Sequence, residues 1–260
     1  MSSSNARSYI ACGASVAGTR HIQNQNPCED AWAKAILPCA LVIAVADGLS
    51  SAEFGGKGAE IAVNSCVRNA VELLRTDEED EEQDIITVIR TAAGAGREKI
   101  GEHAIMNEMD ISSFATTLLM TVLTPDGVVC GHIGDGACVT LSEDVVSLLS
   151  VPGHARYANE TAVLTGKNWD SQFRISSGAA SAVICATDGC QGALVRRENG
   201  SYMPYSPFIV PLVRSLEQYT KEDRDLNSEI FDLLHSSRMQ ALSSDDKTLA
   251  VGFCLSGESF

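Results

Sequence analysis

Two well-separated apolar runs end in the same dipeptide. Leu41-Val42-Ile43-Ala44-Val45-Ala46 leads into Asp47-Gly48, and Ala182-Val183-Ile184-Cys185-Ala186-Thr187 leads into Asp188-Gly189. Short, β-branched runs of this kind read as central strands buried on both faces. A chain that folds around them must deliver both aspartates to the rim of its core. One Asp-Gly after a strand is ordinary turn chemistry. Two, after such similar strands, point to carboxylates that converge.

Other acids stand at comparable places. Glu29-Asp30 precede Ala31-Trp32-Ala33, Gly134-Asp135-Gly136 separates two strand candidates, and Ser244-Asp245-Asp246 precede the apolar run Thr248–Phe253. Carboxylates gathered at one sheet edge repel one another and lose hydration, so they call for cations. Hard divalent Mg2+ or Mn2+ with oxygen ligands meets that demand. Two such ions about 3.5–4 Å apart can share an aspartate, activate a water and clamp a phosphoryl group.

The remaining pattern supplies the scaffold. Phe114–Leu123 and Val128–Ile133 flank Thr124-Pro125-Asp126-Gly127, a hairpin signal, and Ala137–Leu141 with Val145–Leu149 continue the meander. Helical spacing runs over 56–75 and 84–106, with Gly94 and Gly96 weakening the second, and a further helix is expected at about 225–241. The acidic run 77–84 between the first two reads as a solvated loop whose last acids favour the next helix N-terminus. Strands and helices come in runs rather than alternating, which predicts an α+β fold with mostly antiparallel sheets in one domain.

Composition narrows the function. An apolar fraction of 45% over 260 residues excludes wholesale disorder. A net charge of -15 argues against gripping nucleic acid or an anionic membrane by bulk electrostatics. Nine cysteines, an odd number with no C-x-x-C pair, read as reduced thiols in a cytoplasmic protein rather than a zinc site. The start lacks a secretory h-region, and the longest apolar stretch, Ala35–Ala46, is broken by Pro38 and too short to span a bilayer.

Six short motifs occur in order: Cys28-Glu29-Asp30-Ala31, Val45-Ala46-Asp47-Gly48, Ser113-Phe114-Ala115-Thr116-Thr117, Gly134-Asp135-Gly136, Ala186-Thr187-Asp188-Gly189 and Ser244-Asp245-Asp246-Lys247-Thr248. Together they resemble the metal-dependent PP2C-type (PPM) protein phosphatases, most closely their compact bacterial branch. Gly18-Thr19-Arg20-His21 and Tyr157-Ala158-Asn159-Glu160-Thr161 are also similar to that branch, and the likeness runs from about residue 10 to 254. It implies a four-layer αββα sandwich, two antiparallel sheets flanked by helix pairs, forming a single domain. It also implies hydrolysis of phosphoserine and phosphothreonine in proteins by a metal-activated water at a binuclear Mn2+ or Mg2+ centre, opposite a Ser/Thr kinase.

By the same resemblance, Asp47 and Asp188 are the central catalytic acids. Asp47 would bridge both metals, with the Gly48 carbonyl as a further ligand. Asp188 and Asp245 would complete one site, and Glu29 and Asp30 would serve the other directly or through ordered water. Asp135, with Asp188, matches the position of a third metal. Asp246 stands where the family often has Asn and would orient ligands. Thr116 and Thr117 match a structural strand motif.

Three departures leave alternatives open. The family's phosphate-binding Arg lies a few residues before the Glu-Asp pair, whereas Arg20 precedes Glu29 by nine, so it reads either as a phosphate ligand or as a surface charge. His21 is a proton donor, a phosphate contact or a hydrogen-bonded loop histidine, and His154 and Arg156 are solvated loop residues or substrate contacts. Leu49-Ser50-Ser51 replaces the His that many eukaryotic relatives carry after Asp-Gly, and Gly55-Gly56 lie downstream of the usual Asp-Gly-x-Gly-Gly glycines. These changes motivate a second reading, a phosphatase-like regulatory module without turnover, and a third is hydrolysis of a small phosphorylated metabolite. A thiol phosphatase would need a Cys-x5-Arg loop; Cys190 and Arg196 stand at that spacing, but hydrolysis by a metal-activated water needs no covalent intermediate.

Overall fold

The structure is a computed structural model that describes residues 8–75, 84–152 and 161–255. Two five-stranded antiparallel sheets carry the fold. The first runs in the order β1 (Ser8–Val16), β12 (Lys247–Leu255), β9 (Ala182–Ala186), β6 (Ala137–Ser142) and β7 (Val145–Ser150). The second runs β2 (Asp30–Ile36), β3 (Leu41–Asp47), β4 (Leu118–Thr124), β5 (Gly127–Ile133) and β8 (Arg174–Gly178). A small hairpin, β10 (Val195–Glu198) with β11 (Ser201–Pro204), stands apart.

The sheets pack face to face over Leu41, Ile43, Val45, Leu119, Val183, Cys185 and Ala250, all buried. Helices cover the outer faces. After the short α1 (Thr19–Asn24), the long α2 (Gly55–Arg75) and α3 (Ile85–Met106) bury one stripe against the second sheet. The remaining helices are α4 (Trp169–Gln172), α5 (Asp188–Leu194), α6 (Ser206–Lys221), α7 (Leu226–His235) and α8 (Ser237–Gln240). Of these, α5 to α8 contribute buried side chains to the layer over the first sheet. The result is the α+β, αββα sandwich expected.

The α2 stripe explains its stability and its close neighbour. Ala59, Ala62, Val63, Cys66, Val67 and Ala70 recur at helical spacing and are buried. Small side chains let α3 approach closely, and a Cβ on Gly96 would lie 2.5 Å from the Cys66 sulfur. Gly96, which weakens α3 locally, therefore serves its packing. Asp84 caps α3, accepting a hydrogen bond from the Ile86 amide at 3.0 Å. The rest of the acidic run, 77–83, lies outside the described residues.

Several boundaries differ from expectation. The segment expected as one strand over Phe114–Leu123 opens with a 3-10 turn, Ile111–Phe114, and β4 begins only at Leu118. The helix expected over 225–241 breaks at Ser236, whose hydroxyl caps α8. Helix α6 was not expected, because Pro207 and Pro211 mask its periodicity. Pro207 occupies its first turn, where no N–H is needed.

Candidate metal centre

The register of β2 and β3 places Asp30 directly opposite Asp47. Asp188 opens α5 immediately after β9, and Asp135 sits in the turn between β5 and β6. Because the sheets stack with these strand ends on one side, acids distant in sequence meet. Carboxylate oxygens of Asp47, Asp135 and Asp188 lie within 4.8 Å of one another, and all three residues are partly exposed. Asp245 adds its charge to this group, raising the pKa values of both Asp47 and Asp188.

The electrostatics are lopsided. Burial pushes the Asp47 carboxyl far above the usual carboxylate range, and Asp30, Asp188, Asp135 and Asp245 push it further. Asp188 rises to about 6, from burial first and then from Asp135 and Asp245. The guanidinium of Arg20 reaches Asp245 at 3.1 Å, at an exposed position, so it offsets one charge at the margin. A compact set of hard oxygen donors with this much uncompensated negative charge fits a divalent cation such as Mn2+ or Mg2+.

Asp30 takes a different partner. It is buried, and its Oδ2 accepts a hydrogen bond from the Thr187 hydroxyl at 2.7 Å, tying β2 to the end of β9 across the sandwich. Burial raises its pKa, while hydrogen bonds from Thr187 and Thr248 pull it back. The Thr187 hydroxyl also accepts from the Thr248 amide at 2.9 Å, so one side chain joins three strands.

Asp246 is a fastening point. Its Oδ1 accepts from the Gly18 amide at 2.7 Å, and its Oδ2 accepts from the Glu29 amide at 2.6 Å and meets His21 Nδ1 at 2.8 Å. His21 is thus hydrogen-bonded, as one of the expected readings had it, but sits buried in α1 rather than in a loop, with Nε2 lying 3.8 Å from the Glu29 carboxylate. Glu29 is partly exposed, and burial raises its pKa against the opposing pull of His21.

Backbone groups hold Asp47 in place. Its amide donates to Thr117 Oγ1 at 2.9 Å, and its carbonyl accepts from the Thr116 hydroxyl at 3.0 Å and the Thr117 amide at 2.9 Å. These bonds explain why Thr116 and Thr117 precede β4 instead of joining it. Gly48 packs on the start of α2, where an added Cβ would sit 2.2 Å from the Gly55 carbonyl carbon. Gly55 and Gly56 thus supply the close approach that the usual glycine spacing would otherwise provide. Opposite, the buried Lys247 ammonium donates to the carbonyls of Ser243 at 2.7 Å and Asp245 at 2.8 Å, fixing the turn that carries Asp245.

Sequence reasoning did not single out Thr187 or Lys247. Their only signal is position, each beside a motif acid at a strand end. His154, Arg156 and residues 157–160 lie outside the described residues.

Known proteins share this fold. The family model described as Protein phosphatase 2C matches residues 17–234. Serine/threonine-protein phosphatase 3 of Escherichia coli (strain K12) is 31% identical over 247 residues, spanning 92% of this chain and 95% of that protein. Among solved structures, PppA, a key regulatory component of T6SS in Pseudomonas aeruginosa, superposes with a TM-score of 0.60 at 16% identity, covering 96% of this chain and 100% of PppA. The catalytic domain of the phosphatase PstP, solved with two manganese ions, gives 0.57 at 14% identity over 95% of this chain and 99% of that one. The chain belongs to the protein phosphatase 2C family and is a protein serine/threonine phosphatase.

Proposed function

We propose that the chain hydrolyses phosphoserine and phosphothreonine in proteins at a binuclear Mn2+ or Mg2+ centre held by Asp47, Asp188 and Asp245, with Asp30, Glu29 and the Gly48 carbonyl as further ligands, directly or through water. Asp135, with Asp188, is available to a third ion. The observation that carries this reading is the convergence of carboxylate oxygens of Asp47, Asp135 and Asp188 within 4.8 Å of one another. When bound, divalent metal supplies Lewis acidity that lowers the pKa of water and offsets phosphate charge.

The protein's own groups set the stage. Thr116 and Thr117 fix the Asp47 backbone, Thr187 orients Asp30, and Lys247 fixes Asp245. Asp246 joins α1 to the segment carrying Glu29, which brings Arg20 to the rim beside Asp245. From there the exposed guanidinium can turn from Asp245 to a substrate phosphate, a charge-assisted contact. His21 steadies Glu29 through Nε2, since its Nδ1 is committed to Asp246. None of the nine cysteines is in a disulfide, which suits a reducing, cytoplasmic setting in which such an enzyme would oppose a Ser/Thr kinase.

A phosphopeptide assay with and without Mn2+ tests the reading. Phosphate release that requires Mn2+ and disappears in Asp188→Asn is expected. A folded, metal-loaded protein inert toward every phosphopeptide would favour the regulatory module instead, and a strong preference for small phosphate esters would favour the metabolite reading.

A further inference from the structure

On the outer face of the first sheet, α5, α6, α7 and α8 line a half-open cavity of about 470 Å³. Its body is apolar, formed by side chains such as Phe208, Leu212, Leu216, Leu233 and Met239. That volume lies in the range of small-ligand sites. Two arginines, Arg196 and Arg238, line it. Among the described residues neither has a carboxylate partner, and Arg196 instead stacks on the Tyr205 ring at 4.1 Å. Of the two lining acids, Glu229 is held by Arg224, which leaves Asp232 against both arginines. With Glu229 held by Arg224, the lining offers two arginines against one acid, in a chain of net charge -15.

We propose that this cavity binds a small amphipathic anion, an aliphatic or aryl body ending in a carboxylate. The apolar part would fill the space between α6 and α7, and the anionic end would meet Arg196 and Arg238. The walls make the occupant consequential. Gly192 and Ala193 line the cavity and belong to the same short helix that opens on Asp188. Leu242 lines it and lies three residues before Asp245. An occupant therefore touches both segments that deliver acids to the metal centre, and the site is an effector site.

Decanoate is a suitable probe, with decylammonium as its cationic counterpart, both titrated calorimetrically into the full chain. Decanoate binds one to one, and decylammonium binds at least about tenfold more weakly. The double variant Arg196→Gln/Arg238→Gln loses about tenfold in decanoate affinity. Gly192→Leu, whose new side chain points toward Leu242 with no backbone in its way, fills the cavity and abolishes binding. Ser215→Trp, from the α6 wall, does the same if Gly192→Leu fails to fold. Equal affinity for the two probes, or undiminished decanoate binding in folded cavity-filling variants, would overturn the site. Coupling rests on the metal reading above and is reciprocal, so bound decanoate shifts Mn2+ affinity at least twofold. Unchanged Mn2+ affinity with decanoate bound overturns the coupling, whereas no Mn2+ binding in either state counts against the metal reading itself.

Discussion

Asp30 and Asp47 are direct cross-strand neighbours at the ends of β2 and β3, yet their carboxylates go to different partners: Asp30 to the Thr187 hydroxyl, Asp47 to Asp135 and Asp188. Like charges opposed across a strand pair destabilise it. The fold accepts that cost at a place where a cation can relieve it.

Removing the charge should therefore separate stability from function. Asp47→Asn keeps the shape of the side chain and ends the repulsion, so the metal-free variant should be more stable than wild type by about 2 kcal/mol, several degrees in Tm. Mn2+ should raise the Tm of wild type and leave the variant unmoved, and phosphopeptide hydrolysis should vanish. Thermal melts with and without Mn2+ check all three. A destabilised apo variant would contradict the electrostatic account.

Thr117→Val leaves the Asp47 amide without its side-chain acceptor. An unsatisfied buried donor costs about 1–3 kcal/mol. Urea unfolding should show that loss, and the Mn2+ concentration for half-maximal activity should rise severalfold. Unaltered metal dependence would mean that Thr117 does not position Asp47.

Lys247→Met preserves the buried stem but leaves the carbonyls of Ser243 and Asp245 unpaired. Stability should fall by about 2 kcal/mol, and kcat should fall at saturating Mn2+ because the Asp245 turn is no longer fixed. Intact kcat in the folded variant would remove Lys247 from any positioning role.

Arg20→Ala should leave stability within about 0.5 kcal/mol of wild type, since its pair with Asp245 is exposed. If the guanidinium meets substrate phosphate, KM for a phosphopeptide rises about tenfold with little change in kcat. An unchanged KM would leave Arg20 as a partner of Asp245 alone.

Away from the centre, His132 sets a pH dependence. It is buried on β5, with Nδ1 at 2.7 Å from the Ser150 hydroxyl and 3.0 Å from the Arg174 guanidinium. Burial first, and then the Arg174 charge, depress its pKa to about 3. Unfolded, the ring takes a proton near pH 6.5. Below that pH the unfolded chain binds a proton that the folded chain refuses, so stability falls as pH drops toward 3. Between pH 7 and 5 the loss from this residue should be about 2 kcal/mol and should be absent in His132→Asn. Denaturant titrations at both pH values compare the two proteins, and equal pH slopes would refute it.

The central strands and their terminal acids were legible in the sequence because Leu41–Ala46 and Val183–Ala186 are buried on both faces and hence uniformly apolar. The α2 and α3 helices were legible from one-sided burial. Less visible were elements whose pattern is overridden by tertiary contacts. Strand β1 is interrupted by Gly13, which lies against β12 and Trp32, and α6 carries two prolines. The site followed the same division. Acids at strand ends announce themselves, whereas Thr187 and Lys247 are ordinary residues whose roles exist only once β2, β9 and β12 lie side by side.

Anomalous scattering from crystals grown with Mn2+ tests the central claim most directly. Peaks about 2.1 Å from carboxylate oxygens of Asp47 and Asp188, lost in Asp47→Asn, are the predicted result. An ordered protein with these two carboxylates free of metal at saturating Mn2+ would contradict it.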